Sequence, residues 1–298
     1  MTAPPAPYAG ATTPFSIGLR PLDEATWIEP GDDLAVRLAE KARLLATVPE
    51  AIFVEEDGTR EAQQEVRARL EAHCLAHHPD HWRQTPEGVA PIHANAPGKD
   101  LPPLLAASLI VQEDLILMRR GQDGWRLAAG ALFFPSSWIL REKFGRPMHA
   151  IHAPVPGFGA GTRMAAMIER IFDNLKPGLP AERFNWSIQS GTALHMPVPH
   201  GVRGGSRFGD GGVAAKAAIR IERQTLHRMP VSGDILFTIR IHLDPFSALA
   251  MRPDRAILAP ALARQLAGLD EAQIAYKGLL ADRAQLLETL AAMASSGV

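Results

Sequence analysis

The sequence predicts an α+β protein in which helices flank a run of hairpin-linked strands. The first third contains "DDLAVRLAEKARLLAT" and "EAQQEVRARLEAHCLAHH", where apolar residues recur every three or four positions, as in helices packed on one face. The C-terminal end predicts two further helices, over about 255–268 and 270–294. Apolar runs separated by polar turns lie between these helices and indicate strands. This order of elements favours an α+β architecture.

Four segments of the middle region carry that prediction. "SLIVQEDLILMRR" predicts two short strands around a polar turn at Gln112–Asp114, and "GWRLAAGALFFP" predicts a third strand that ends at Pro135. "RMAAMIERIFDNL" predicts a helix because its apolar residues from Met164 to Leu175 share one face. The glycine-rich "HGVRGGSRFGDGG" predicts a mobile loop over 200–212, and it lacks the spacing of a nucleotide-binding fingerprint.

Composition limits the class of protein. The chain has 298 residues, 46% of them hydrophobic, and a formal net charge of −1, which is typical of a soluble globular protein and does not suggest binding to nucleic acid or membranes. The single cysteine, Cys74, excludes an internal disulfide and a four-cysteine metal or iron–sulfur site within the chain. No signal peptide or membrane span is recognisable, so we expect a cytoplasmic protein. We expect a flexible tail over 1–14 and one domain over 15–298.

The stretch "IRIERQTLHRMPVSGDILFTIRIHLDPF" (219–246) predicts a hairpin that turns at Pro230–Asp234. With a period of two, Arg220, Glu222 and Gln224 share one face of the first strand, and Arg223 lies on the other. The second strand has one strongly apolar face, which belongs in the core. The polar face is either half-exposed, with cross-strand ion pairs, or the wall of a pocket that binds an anionic group. Spacing leaves both interpretations open.

The histidines offer several candidate ligands. His73 and His77 are four apart on a helix, a spacing that suits zinc, although a helix end also favours histidine for its charge. His152 precedes Pro154 and Pro156, which predicts extended backbone and suits either an axial ligand or a structural hydrogen bond. His195 and His200 flank the extended segment "HMPVPH", next to the glycine-rich loop, and are predicted to be surface loop residues.

Three motifs, "SSWILREKFGRPMHAIHAPVPGF", "RFNWSIQ" and "IRIERQTLHRMPVSGDILFTIR", resemble the α subunit of haem-dependent oxidative N-demethylase. The resemblance covers about residues 15–250 and implies a PAS-like antiparallel sheet that binds haem b. It also implies that O₂ is used to remove a methyl group from a small amine such as dimethylamine, releasing formaldehyde. Electrons would come from NADPH through partner subunits with FMN and a [2Fe–2S] cluster, which a chain with one cysteine cannot hold by itself.

The resemblance also implies roles for individual residues. The histidine of the IH-x-P-V-P motif falls on His152, which becomes the expected axial ligand of the haem iron, with His195 and His242 as the next candidates. Arginines suit haem propionates, and Glu222 suits proton transfer to bound oxygen. The expected cofactor-binding residues are His152, Arg220, Arg223 and Trp186, and the expected catalytic residues are Glu222, Gln224 and Thr225. Glu222, Trp138 and Trp186 are candidates for contact with a cationic amine.

Two other functions are compatible with the sequence. PAS-like proteins also serve as haem-binding sensors or carriers without turnover, because a fold does not fix a function. A metal hydrolase that uses His73 and His77 would instead bind zinc and show no haem absorbance.

Overall fold

A computed structural model describes residues 3–10, 12–198, 205–209 and 212–295, and it combines helices with two antiparallel sheets. The strands are β1 (Arg20–Pro21), β2 (Phe53–Glu55), β3 (Trp82–Thr85), β4 (Gly88–Pro91), β5 (Asp114–Gly121), β6 (Gly124–Ala131), β7 (Ala181–Ser190), β8 (Ala217–Arg228) and β9 (Ile235–Pro245). The helices are α1 (Leu34–Thr47), α2 (Pro49–Ile52), α3 (Arg60–His77), α4 (Pro103–Ser108), α5 (Leu140–Lys143), α6 (Met148–Ile151), α7 (Arg163–Asn174), α8 (Gly212–Lys216), α9 (Phe246–Ala250), α10 (Arg255–Ala267), α11 (Glu271–Tyr276) and α12 (Arg283–Ser295). The α+β prediction is confirmed.

The main sheet has seven strands in the order β1-β7-β8-β9-β5-β6-β2, and each neighbouring pair is antiparallel. The predicted hairpin is its centre. β8 and β9 pair along their whole length, with Thr225 opposite Thr238, and the turn between them closes where the Met229 amide donates to the Asp234 carbonyl. The helices predicted from "DDLAVRLAEKARLLAT", "EAQQEVRARLEAHCLAHH" and "RMAAMIERIFDNL" are α1, α3 and α7.

The hydrophobic core lies on both faces of the sheet. On one face, α1 and α3 pack against β5 and β9. Close to the N-terminal half of β8, α10 and α12 cover Ile219 and Ile221. The segment that contains α5, α6 and α7 covers the opposite face of the sheet, where it packs against apolar side chains of β5 and β6. Among the described helices, none combines the length and the hydrophobicity that crossing a lipid bilayer requires.

One predicted strand is wrong. The apolar run before Gln112 forms α4 and a buried connector instead, because Pro102 and Pro103 suit a helix start and an apolar run does not by itself distinguish a strand from a buried helix. The buried Lys41 ammonium fixes the connector, since it donates to the carbonyls of Ser108, Val111 and Glu113. The strand after the turn, β5, is confirmed.

The second predicted C-terminal helix is two helices, α11 and α12. Asp270 begins α11 with a capping box, and the chain leaves the helix near Gly278, whose φ of 64° favours glycine. The break matters because it brings Tyr276 and Lys277 to the sheet.

The N-terminal segment and the glycine-rich loop are described only in part. Tyr8, within the predicted tail, is 1% exposed and packs in the same core cluster as Leu258 and Leu262 of α10, so this part of the segment is anchored. The flexibility of residues 1–14 stays a prediction. Most of the predicted mobile loop over 200–212, with His200, lies outside the described residues.

Candidate functional site

A cavity of about 450 Å³ lies between one face of the main sheet and the segment that contains α5, α6 and α7. We call it the central cavity. Its floor is formed by β5, β7, β8 and β9, and its other walls come from residues 132–158, from α7 and from α11. This volume is within the range of about 300–1,000 Å³ that is typical of cofactor pockets.

The hairpin supplies the floor in the way that its periodicity predicts. Glu222, Gln224 and Leu226 of β8 line the cavity beside Phe237 and Ile239 of β9. These residues are cross-strand neighbours, with Gln224 opposite Ile239 and Leu226 opposite Phe237. The polar face of the first strand therefore borders an internal cavity. Open solvent is not its environment, since the Glu222 side chain is only 18% exposed.

Glu222 is the acidic group on this floor. Its carboxylate accepts hydrogen bonds from Gln224 Nε2 at 3.0 Å and from Asn185 Nδ2 at 3.4 Å, and Arg220 Nε lies 3.4 Å from its other oxygen. The two amide donors are neutral and the contact with Arg220 is long. The carboxylate can therefore accept a further hydrogen bond from a molecule in the cavity.

Arg220 contacts Glu222 from outside the central cavity. Its side chain is fully buried and donates to the carbonyl of Phe134 and, at 3.2 Å, to that of Leu194. Burial lowers the pKa of the guanidinium, and the nearby carboxylates of Glu222 and Asp114 counteract this effect. Phe134 lines the central cavity, so Arg220 holds two parts of the wall together without lining it.

His152 lies on the wall formed by residues 132–158. The prediction of extended backbone is wrong: His152 caps the C-terminus of α6, and its amide donates to the Met148 carbonyl at 3.0 Å. The helix stops there because Ala153 precedes Pro154, and a proline disfavours the helical conformation in the residue before it. The proline-rich sequence thus ends a helix and leaves the imidazole at its end.

The imidazole of His152 is suited to ligation. Its Nδ1 is buried without a hydrogen-bond partner. Burial lowers the pKa of the ring to about 4, and the charges of Arg183 and Lys143 add to this effect. The ring is therefore neutral near pH 7, and a neutral imidazole nitrogen is the form that binds a metal.

Four cations among the described residues line the central cavity, against two carboxylates, Glu142 and Glu222. The cations are Lys143, Arg183, Arg207 and Lys277. Burial lowers the pKa of Lys143 and, to about 8, that of Lys277. The cavity thus combines apolar walls with a net positive charge of two, which suits a flat apolar ligand with two acidic groups.

Sequence reasoning missed these cations, which come from four separate segments. Arg183 lies in the motif "RFNWSIQ", where the period of two places it on the same face as Asn185, so a signal existed. No comparable signal existed for Lys277, which reaches the cavity only because α11 ends there.

Besides Arg220, three more of the predicted site residues do not line this cavity. Thr225 points to the opposite face, where its hydroxyl is 2.6 Å from that of Thr238. Arg223 points the same way and binds Glu182 at 2.7 Å and the carbonyls of Thr26 and Trp27. Trp186 packs towards α10, with its Nε1 donating to Gln265. Trp138, by contrast, lines the cavity.

The other candidate histidines also lie elsewhere. His195 Nδ1 is 2.7 Å from the Phe133 carbonyl, and His242 is on the opposite face of β9; neither lines the central cavity. His73 Nε2 accepts a hydrogen bond from the Ile28 amide, and its ring stacks near that of His77. Within the described ranges, no group of three or more histidine, cysteine or acidic residues could hold a metal ion.

Backbone strain is found at the same cavity. Among the described residues other than glycine, Phe15 and Ser137 are the ones with positive φ, of 60° and 65°, and both line the cavity. Such conformations cost free energy and persist where surrounding contacts hold them, which is common at binding sites.

Comparison with known families agrees with this geometry. Residues 18–287 match the family described as "Haem-dependent oxidative N-demethylase, alpha subunit-like". The chain belongs to this family. Its name associates the chain with haem and with oxidoreductase chemistry, and an α subunit implies partner chains. A haem fits the residues present, since the cavity offers a neutral imidazole with an unpartnered buried nitrogen, apolar walls and a net positive charge.

Proposed function

We propose that the central cavity binds haem b and that His152 would ligate its iron. The observation that carries the proposal is the imidazole on the cavity wall, with its buried Nδ1 unpartnered and its pKa lowered to about 4. The apolar side chains of Phe172, Phe237 and Ile239 suit the macrocycle, and the cations of the cavity suit its two propionates. His195 and His242 are poorer candidates because they do not line the cavity.

Arg183 is the strongest candidate for a propionate. It lies close enough to His152 for its charge to lower the pKa of that ring, and it also lines the central cavity. Its guanidinium is fixed by the carbonyls of Ser16 and Ile17 and by the Gln224 side chain. A guanidinium held in this way is already positioned for a carboxylate. We therefore assign to Arg183 the role that the sequence suggested for Arg223.

We further propose that the chain is the catalytic subunit that N-demethylates a small methylated amine, such as dimethylamine, with O₂. Bound haem supplies the oxygen activation. The chain positions the cationic amine against the Glu222 carboxylate, and the apolar walls keep water away from it. Glu222, held by Gln224 and Asn185, takes up or delivers the proton. Oxidation of the N-methyl group gives a carbinolamine that releases formaldehyde and the smaller amine.

Partner subunits would carry NADPH, FMN and a [2Fe–2S] cluster in this proposal. A chain with one cysteine, buried at Cys74 with its thiol pKa raised by burial, does not supply the thiolates of such a cluster.

The sheet supports a PAS-like core, because the first and last of its five long strands, β5 and β9, are central neighbours, as in that fold.

The first test is an absorbance spectrum of the protein expressed with a haem precursor. We expect a Soret band that is lost or shifted in His152→Ala and unchanged in His149→Ala. His149 is the matched control because it lies on the same short helix and does not line the cavity. A Soret band unaffected by His152→Ala would refute this ligand, and no Soret band after reconstitution would refute haem binding.

A second test separates an enzyme from a haem-binding sensor or carrier. The haem-loaded chain is mixed with a reductase partner, and NADPH oxidation and formaldehyde are measured with and without dimethylamine. Amine-dependent oxidation with one formaldehyde per turnover is the expected result. Haem that is reduced without formation of formaldehyde, across a series of methylated amines, would favour the sensor or carrier.

A further inference from the structure

A second cavity adjoins the central one. We call it the edge cavity; it measures about 330 Å³ and lies between residues 5–10 and 12–20 and the edge of the sheet at β7. Three residues, Phe15, Arg183 and Asn185, line both cavities. One layer of side chains therefore separates the two spaces.

The two cavities reach the surface through different segments. Exposed residues on the wall of the central cavity are Glu142 and Pro154, which belong to the same wall segment, residues 132–158, as His152. Exposed residues of the edge cavity are Gly10, Thr12, Thr13, Gly18 and Arg20. A cofactor held by His152 would fill the opening on its own side, so a small reactant then needs another way in. This step rests on the proposed function.

Phe15 is the apolar member of the shared layer. Its ring lies edge-on to Tyr276, with centroids 5.8 Å apart, and the Lys277 ammonium is 5.1 Å from its centroid. The backbone of Phe15 has φ of 60°, so it is held in place by these contacts against its own preference.

The chain on either side of Phe15 is fastened. Tyr8 is buried against α10, and Arg20 binds Glu182 of β7 at 2.7 Å. Arg183 binds the carbonyls of Ser16 and Ile17. A substitution at Phe15 therefore changes the ring while the residues around it stay attached.

We propose that small molecules enter the central cavity through the edge cavity, and that the Phe15 side chain sets the size of molecule that passes. Phe15 is thus a specificity-determining residue, which admits a gas molecule or an amine with small alkyl groups and excludes larger ones. Asn185 and Arg183 form the polar side of the same passage.

The methylation rate of Lys277 can measure access through this passage in protein that holds no cofactor. Its ammonium is buried, donates to the Trp186 carbonyl at 2.6 Å, and lies over the rings of Phe15 and Trp186, both of which line the edge cavity. The test is reductive methylation of the haem-free protein with formaldehyde and cyanoborohydride. The amine and aldehyde form an imine and water, hydride reduces the imine, and mass spectrometry of peptides gives the rate for each lysine.

We expect Phe15→Ala to raise the methylation rate of Lys277 roughly fivefold or more relative to the exposed Lys99, as about 1 kcal/mol of lost contact would give. Phe15→Trp should lower that rate. The matched control is Val155→Ala, which widens the other opening; since that opening is unfilled in the haem-free protein, it should raise the Lys277 rate, but less than Phe15→Ala does. A rise with Val155→Ala and none with Phe15→Ala would overturn the proposal.

Carbon monoxide rebinding to the reduced haem-loaded protein after flash photolysis gives an independent readout. Phe15→Ala should speed bimolecular rebinding, Phe15→Trp should slow it, and Val155→Ala should leave it unchanged; equal rates in all three would overturn the proposal. If the protein binds no haem, the proposed function fails, whereas the methylation of Lys277 still decides whether Phe15 controls the passage.

Discussion

Replacing Arg220 with methionine tests whether Arg220 holds the wall of the central cavity together. Methionine has a similar length and no charge, so the change removes the guanidinium with little loss of volume. The buried carbonyls of Phe134 and Leu194 then lose a charged donor, and Glu222 loses its nearest cation. All of these groups border the cavity or hold its wall.

The size of the effect follows from these contacts. Each hydrogen bond from a charged donor contributes about 1.5–3 kcal/mol to stability. The variant no longer pays the cost of burying the Arg220 charge, and this offsets part of the loss of those hydrogen bonds. We therefore expect the free energy of unfolding to fall by about 3–5 kcal/mol, the range for breaking a buried ionic network. At about 2–4 °C per kcal/mol, the Tm should fall by roughly 10 °C.

Urea and thermal unfolding, followed by circular dichroism, measure this change. The control is Arg43→Met, because the Arg43 side chain is 58% exposed and pairs with Glu40 on the same helix; its effect should stay within about 0.5 kcal/mol. A loss below about 1 kcal/mol for Arg220→Met, similar to the control, would refute the reasoning that Arg220 holds the cavity wall.

Two more predictions concern acid stability and catalysis. Burial lowers the pKa of His227 to about 3, so below about pH 6.5 the unfolded chain binds a proton that the folded chain does not, and stability falls as the pH falls. His227→Phe keeps the stacking on Trp27 and should reduce this loss, measured by urea unfolding between about pH 6 and 4, by about 1.4 kcal/mol per pH unit; equal slopes would contradict it. Glu222→Gln should retain the Soret band and lower amine-dependent turnover about 100-fold, as expected for a lost proton-transfer group. Turnover within about threefold of wild type would remove Glu222 from the mechanism.

The pattern of the central hairpin follows from the sequence alone. Period-two alternation over 219–246 placed Glu222 and Gln224 on one face and Arg223 on the other, because side chains of a strand alternate whatever the surroundings. Composition also excludes an internal disulfide and a four-cysteine site within the chain, since a count of one cysteine needs no structure. The resemblance to the family points to His152 as the expected iron ligand, which stays a prediction, and the prediction of extended backbone there is wrong.

Which of these residues meet depends on the packing of the whole chain. Thr225 and Arg223 are one residue away from Gln224 and Glu222 in the chain, yet they face the other side of the sheet, where separate partners hold them. Lys277 and Phe15 are 262 positions apart and share the central cavity because α11 ends where the N-terminal segment crosses β7. Such contacts depend on long-range packing and on where a helix stops, and local periodicity carries no information about either.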